Sequence, residues 1–318
     1  MDQIRLAYRD DDRTPMIFCI AEMARRHYDV DVDVVQIRDT PAFESALFDG
    51  TADVLIEHTE YLYAYTSAPS DQRCMMFCAP VVRTGLELVV GPEVSDLTQL
   101  YGRPIAVRYP GRPTATLLRM EQLGLIGHAE PVIVSDADVG RWSQWKKVQN
   151  GECGGAFLSV EYLPPALDAG LKVLPVADVP VVGYYAHGCL ADLGYRNPGL
   201  LKRYVSAVIH AACLMKLRPN EALEIAAGEP ARRMKLANGA ELARRMQFTA
   251  DMLQVKPYPS PEGLGNSQKI AAEEFPGCDG VNPLALWDLH WVKQLDDEGF
   301  IDGLVERLRS AGGSPAAH

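Results

Sequence analysis

The segment Arg9-Asp10-Asp11-Asp12-Arg13-Thr14-Pro15 brings both signs of charge to the start of a helix. Thr14 suits an N-cap and Pro15 the first helical position. The free N–H groups and the positive end of the dipole there favour an anion. Arg9 and Arg13 add planar forks that match carboxylate, sulfonate or phosphate. Asp10, Asp11 and Asp12 oppose this: they can neutralise the arginines, bind an amine or metal, or face water. Asp11 is also an acid able to manage a proton.

Three further segments hold similar potential. Arg108-Tyr109-Pro110-Gly111-Arg112-Pro113-Thr114 repeats the pattern of arginines before a Pro-started helix. Gly111 permits a tight backbone, and Tyr109 offers a stacking face. Glu57-His58-Thr59-Glu60 follows an apolar strand. His58 can donate to an oxyanion or act as acid and base near neutral pH, with Thr59 beside it. The spacing of these acids and the histidine matches no established metal motif, and no metal or cofactor is expected. Arg83, Thr84, Ser159, Glu161, Tyr184, Tyr185 and His187 form the last group, on segments expected to line a binding cleft. Each of these residues also has an ordinary reading as cap, packed histidine or solvated turn. Trp142 and Trp145, three apart, read as packing on one helix. No P-loop, dinucleotide fingerprint, zinc-finger spacing or nucleophile elbow is present.

These residues need a scaffold, and the rest of the chain describes one. Its 318 residues are 47% apolar and 23% charged, enough for about two domains with a sizeable core. A net charge of −11 with no basic block disfavours nucleic acid and anionic membranes as partners. No apolar run is long enough to insert in a bilayer. Cysteines 19, 74, 78, 153, 189, 213 and 278 are odd in number and scattered, so free buried thiols are expected. With strand-like Ile4–Tyr8 directly after Met1 and no leader-type segment, a cytoplasmic location is expected.

The first third reads as β-α-β-α-β-α: strands at 4–8, 32–37 and 52–56, helices at 15–27 and 41–48, and a further helix through Tyr61 and Tyr65. An apolar run at 81–90 follows, and then the pattern restarts. It gives strands at 104–108, 131–134, 155–158 and 171–174, with helices at 113–123, 141–150 and through Leu167. An extended segment at 179–187 leads to a helix at 198–217. Further helices are predicted at 219–227, 230–236, 240–252, 267–274 and 283–298, and a disordered tail at 311–318. This α/β series implies two parallel-sheet lobes. Residues 1–85 and 183–310 form lobe one with the C-terminal helices, and residues 86–182 form lobe two. The chain crosses between them twice.

Three passages carry a resemblance. They are Phe48-Asp49-Gly50-Thr51-Ala52-Asp53-Val54, then Leu97 with Tyr101-Gly102-Arg103-Pro104-Ile105-Ala106-Val107, then Asn150-Gly151-Glu152-Cys153-Gly154-Gly155-Ala156-Phe157 with Pro164 and Ala169-Gly170. With Asn197-Pro198 and the ending Leu295 to Asp302, they resemble the type II periplasmic-binding-protein superfamily, in its sulfonate/nitrate-binding and thiamine-pyrimidine-synthase-like group. The resemblance implies two α/β lobes joined by two crossover strands, with the C-terminal helices on lobe one. The opening "Tyr8-Arg9-Asp10-Asp11-Asp12-Arg13-Thr14" is also similar to the start of dihydroxyphthalate decarboxylases. A sulfinate desulfinase of this fold has a nucleophilic Cys in that loop; here the loop holds acids and Cys19 lies further on.

Two functions follow as expectations. One is a solute-binding-type protein that closes its lobes on a small anionic molecule, carboxylate- or sulfonate-like and aromatic in one version. The other is a cytoplasmic, cofactor-free decarboxylase or lyase on the same fold, with His58 or Asp11 handling the proton. The ligand and the oligomeric state are not set by the sequence.

Overall fold

The computed structural model describes every residue except 10–13, 57–58, 110–112, 183–184, 235–238 and 312–318, and gives only the backbone of Thr59, Pro113, Glu161 and Ala311. In chain order the strands are β1 Asp2–Tyr8, β2 Val30–Gln36, β3 Val54–Ile56, β4 Cys74–Cys78, β5 Leu86–Val90, β6 Ile105–Tyr109, β7 Pro131–Ser135, β8 Gly155–Ser159, β9 Lys172–Leu174 and β10 His187–Leu190. The helices are α1 Thr14–His27, α2 Thr40–Ser45, α3 Pro113–Gln122, α4 Asp136–Val139, α5 Trp145–Gln149, α6 Leu163–Asp168, α7 Ala191–Arg196, α8 Pro198–Leu217, α9 Pro219–Ala226, α10 Glu229–Arg233, α11 Gly239–Met252, α12 Pro261–Glu274, α13 His290–Asp297 and α14 Phe300–Ala311. The chain divides into two compact units: Met1–Val82 with Val182–His318, and Arg83–Val181.

In unit 1 the strands lie in the order β2-β1-β3-β10-β4. β1 is parallel to β2 and β3, and β10 runs antiparallel to β3 and β4. Val30, Val32 and Val34 alternate with Asp31 and Asp33, which fits an edge strand with one wet face. Helix α1 buries Met16, Ile17, Ile20, Met23 and Ala24, the helical stripe expected from sequence. It packs on α8, which is buried from Tyr204 to Met215 and is also contacted by α9, α11, α13 and α14. A helix apolar on every side belongs at the centre of a helical layer, and α8 occupies that place.

In unit 1 one strand goes unread in the sequence and one helix needs correction. Cys74–Cys78 is a strand buried at every residue, although it lacks the β-branched residues that announce strands. The helix expected over 283–298 does not form as one element. Met76 bridges to Trp287, the Asp288 carboxylate accepts from the His290 N–H at 3.2 Å, and α13 begins only there. Gly299, at φ 70°, then separates α13 from α14.

In unit 2 the order is β7-β6-β8-β5-β9. β6 is parallel to β7 and β8, while β5 is antiparallel to β8 and β9. Leu86, Leu88, Val90, Ile105, Val107, Met120 and Phe157 share its core. At Gly155 a Cβ would sit 3.1 Å from the Leu88 side chain and 3.3 Å from Ile105, so a glycine lets β8 approach its neighbours. The helix expected over 141–150 is shorter. Trp142 has φ 53°, in the left-handed region, and lies outside α5, so Trp142 and Trp145 do not share a helix face. The crossings at 79–85 and 175–182 carry no ladder among the described residues; β5 begins directly after the first.

Candidate functional site at the strand-end edge of unit 2

Register decides what meets at this edge. β6 and β8 are parallel, so Tyr109 and Ser159 end at the same side. Leu86 pairs with Ser159, which brings Arg83 and Thr84, just before β5, to that side. β9 is antiparallel to β5 and leads to Asp178 there, and β7, parallel to β6, ends at Ser135 and Asp136. Ligands of open α/β sheets sit outside the carboxyl ends of the parallel strands, the edge that β6, β7 and β8 define here.

Two ion-paired groups occupy the edge. Arg119 of α3 reaches back toward the helix start, as helical side chains do. Its Nη1 donates to Asp178 Oδ1 at 2.7 Å and to Thr84 Oγ1 at 3.0 Å. The guanidinium lies 5.7 Å from the Phe157 ring centroid, and its Nε is buried with no hydrogen-bond partner among the described residues. Arg83 pairs with the other oxygen of Asp178 at 3.5 Å, so two guanidinium groups share one carboxylate. Nearby, burial raises the Glu87 carboxyl pKa, the Arg119 and Arg83 charges oppose that, and Asp178 adds to it.

The second group is centred on Arg108. Its Nε donates to both Asp136 oxygens, at 3.0 and 3.1 Å, and Nη2 donates to Oδ2 at 2.5 Å. The guanidinium lies 4.5 Å from the Trp142 ring centroid. Trp142 in turn stacks on Tyr162, with centroids 5.4 Å apart and planes 16° from parallel. Tyr109, next to Arg108 on the strand, is 55% exposed. Among the sequence candidates, Arg83, Arg108, Tyr109, Thr114 and Ser159 therefore belong to one unit. Thr114 and Ser159 are buried, which leaves them supporting the edge rather than presenting to solvent. Gly111 and Arg112 lie outside the described residues.

Unit 1 has the corresponding edge. Tyr8, Ile56 and Cys78 end their strands there, and His187, the first residue of β10, pairs with both Ile56 and Cys78. His187 does not line an open surface: it is wholly buried, and its Nδ1 shares a 2.9 Å hydrogen bond with the Tyr204 hydroxyl. Burial lowers its pKa to about 3, so the ring is neutral. Thr14 is likewise buried, is the first residue of α1, and donates to the Tyr8 hydroxyl at 3.2 Å. Arg9 Nη2 donates to Thr40 Oγ1 at 2.8 Å, with the guanidinium 5.9 Å from the Phe43 ring. Burial keeps both His187 and Thr14 from solvent in this structure. Asp11, Arg13, His58 and Tyr184 lie outside the described residues, and of Thr59 only the backbone is described.

Sequence reasoning missed Arg119, Asp136 and Asp178. Arg119 sits between Leu118 and Met120 in a helix buried over most of its surface, and that apolar setting was the available signal. The carboxylates follow strands β7 and β9 with no motif to mark them. All seven cysteines are free and buried, and burial pushes the Cys19 thiol up to about 12. Among the described residues no three His, Cys, Asp or Glu are placed to hold a metal ion. Nor is any described helix long and apolar enough to cross a membrane.

No family model and no curated protein matches the sequence. Solved structures do match. A protein assigned as the periplasmic sulfonate-binding protein SsuA of Methylobacillus flagellatus KT is 14% identical, with a TM-score of 0.67 over 95% of this chain and 96% of that one. The periplasmic aliphatic sulphonate binding protein SsuA of Escherichia coli is 15% identical, with a TM-score of 0.61 over 86% of each chain. A cysteine-to-serine mutant of DszB in complex with biphenyl-2-sulfinic acid is 12% identical, with a TM-score of 0.62 over 94% of this chain and all of that one. At such identities the likeness speaks for architecture alone. Two α/β units, a chain that crosses between them twice and C-terminal helices on the first unit are features of the type II periplasmic-binding-protein fold, and the chain has that fold.

Proposed function

We propose that the chain binds a small anionic molecule at the strand-end edge of unit 2. The observation that carries this is the charge there: Arg83, Arg108 and Arg119 pair with two carboxylates, Asp136 and Asp178, and burial shifts the third nearby acid, Glu87, toward its neutral form. Planar guanidinium groups held by ion pairs are preorganised donors for sulfonate, sulfinate or carboxylate oxygens. Arg83 is the most exposed of the three arginines and the first contact for an incoming anion. Sulfonate-binding proteins of the same fold support this ligand class. Seven free cysteines fit the reducing cytoplasm proposed for the protein.

Calorimetric titration with ethanesulfonate, benzenesulfonate and benzoate tests the reading. At least one should bind, and Arg83→Ala should weaken it about tenfold or more. No binding by any of them at about 10 mM would overturn the proposal.

A second reading, an enzyme on the same scaffold, draws on the likeness to DszB, a desulfurization enzyme. Chemistry here would need a proton carrier rather than a thiolate, because Cys19 is buried in α1 with its Sγ 4.0 Å from the Ala222 carbonyl. Product formation from an aromatic acid that binds, lost in His58→Ala with binding kept, would establish it. Binding without turnover would leave the binder.

A further inference from the structure

An outermost strand of a sheet offers backbone N–H and C=O groups for pairing with another chain unless something blocks them. Of the four outermost strands here, three are blocked. β2 carries Asp31 and Asp33, and its Val34 carbonyl accepts from Arg233 Nη1 at 3.5 Å. At β4 the Met76 N–H donates to the Leu286 carbonyl at 2.6 Å, and the Met76 carbonyl accepts from the Asp288 N–H at 2.8 Å. β9 is three residues long and starts with Lys172.

β7 is the exception. Its residues, Pro131-Val132-Ile133-Val134-Ser135, hold no charge. The Ile105 N–H of β6 donates to the Glu130 carbonyl at 2.8 Å. Bonding residues alternate along a parallel ladder, so Val132 and Val134 face β6 and Ile133 turns its N–H and C=O outward. Those two groups have no partner among the described residues. The Ile133 side chain is 55% exposed, which leaves a large apolar group at the middle of an unpaired strand.

We propose that β7 pairs antiparallel with β7 of a second copy of this chain, joining two five-stranded sheets into one. An uncharged strand is complementary to itself about a two-fold axis at its central residue. Ile133 then lies opposite Ile133 of the second copy, and the two exchange both N–H···O=C bonds. The Ser135 N–H donates to the Pro131 carbonyl of the second copy, a position where proline, lacking an N–H, loses nothing as an acceptor. The two Ile133 side chains meet on one face and cover each other. Asp136 comes opposite Glu130 of the second copy, and its charge is held by Arg108. So short a contact makes a weak dimer, with Kd on the order of 10–100 µM. The pairing does not depend on the anion-site reading.

Sedimentation velocity of the full chain over about 5–500 µM tests this. Wild-type protein should pass from monomer to dimer across that range. Ile133→Lys, which places a charge on the axis, should weaken association about tenfold or more, and Ile133→Val should keep it. Monomer throughout, or a dimer that Ile133→Lys leaves intact, would overturn the proposal. Amide exchange read by NMR needs no variant: the Ile133 N–H should exchange freely in dilute protein and become protected as concentration rises. Protection already present in the monomer would mean that another part of the chain covers β7, and would equally overturn it.

Discussion

Arg119 and Asp178 meet at 2.7 Å, with the guanidinium 1% exposed and the carboxylate 34% exposed. Thr84 completes the group from the other end of the unit's sequence, at 3.0 Å. A buried cation depends on its carboxylate: losing Asp178 leaves the Arg119 charge without its ion-pair partner where water barely reaches.

The Arg119 group should therefore show strong coupling. Asp178→Ala should destabilise the protein by about 2–3 kcal/mol, less than for a fully buried pair because the carboxylate is partly wet. The double variant Arg119→Met, Asp178→Leu should lose less than the sum of its single changes. Urea unfolding of the four proteins measures this, and additivity within about 0.5 kcal/mol would show that the pair is not coupled.

His187 makes stability fall in acid. Its folded pKa, about 3, lies below the ordinary value of 6.5, so the unfolded chain binds the extra proton as pH drops. Stability is full above 6.5 and declines toward pH 3, at up to about 1.4 kcal/mol per pH unit for one histidine. His210, lowered to about 4 by burial and by the charges of His27 and Arg307, adds in the same direction. His187→Gln should flatten the slope of the urea midpoint between pH 6.5 and 4. An unaltered slope would mean that the ring is not held neutral.

Gly194 in α7 is a packing residue. A Cβ there would fall 2.8 Å from the buried Trp291 ring and 2.3 Å from the end of Met75. The methionine can move; the indole, whose Nε1 donates to the Pro198 carbonyl at 3.0 Å, cannot easily follow. Gly194→Ala should cost about 1–3 kcal/mol by overpacking, despite the better helix propensity of alanine. A thermal midpoint at or above the wild-type value would contradict this.

The thiols should be silent in the native state. All seven are buried, and burial raises the thiol pKa at Cys19 and Cys74 to about 12. An aromatic disulfide reagent at pH 8 should label them within minutes only after denaturation. Fast labelling of Cys19 in the folded protein would reopen thiol chemistry at that position.

The sequence made some of this plain and hid the rest for identifiable reasons. Alternation in Val30–Val34 and the helical stripe of α1 follow directly from side-chain period, so strand and helix were legible there. Cys74–Cys78 was not, because a strand buried on both faces shows no alternation and this one has no β-branched residue. Trp142 looked helical by spacing, yet its backbone is left-handed and its ring lies between Arg108 and Tyr162, partners distant in sequence. Arg83, Arg108 and Tyr109 were recognisable as strand-end residues. Their acidic partners come from β7 and β9, and only the register of the sheet reveals that they meet.

The Arg119 group also bears on the order of folding. In unit 1, β10 must pair with β3 and β4, which lie on the far side of the whole of unit 2 in sequence. Closing so long a loop in an open chain costs entropy. Unit 2 is continuous, and once folded it holds Thr84 and Asp178 within reach of a single guanidinium. The long loop then behaves as a short one, and β10 arrives beside β3 and β4 at little further cost. Pulse-labelled hydrogen exchange during refolding should find the amides of β5, β6 and β8 protected before those of β10. Simultaneous protection would mean that the nested unit gives the outer one no head start.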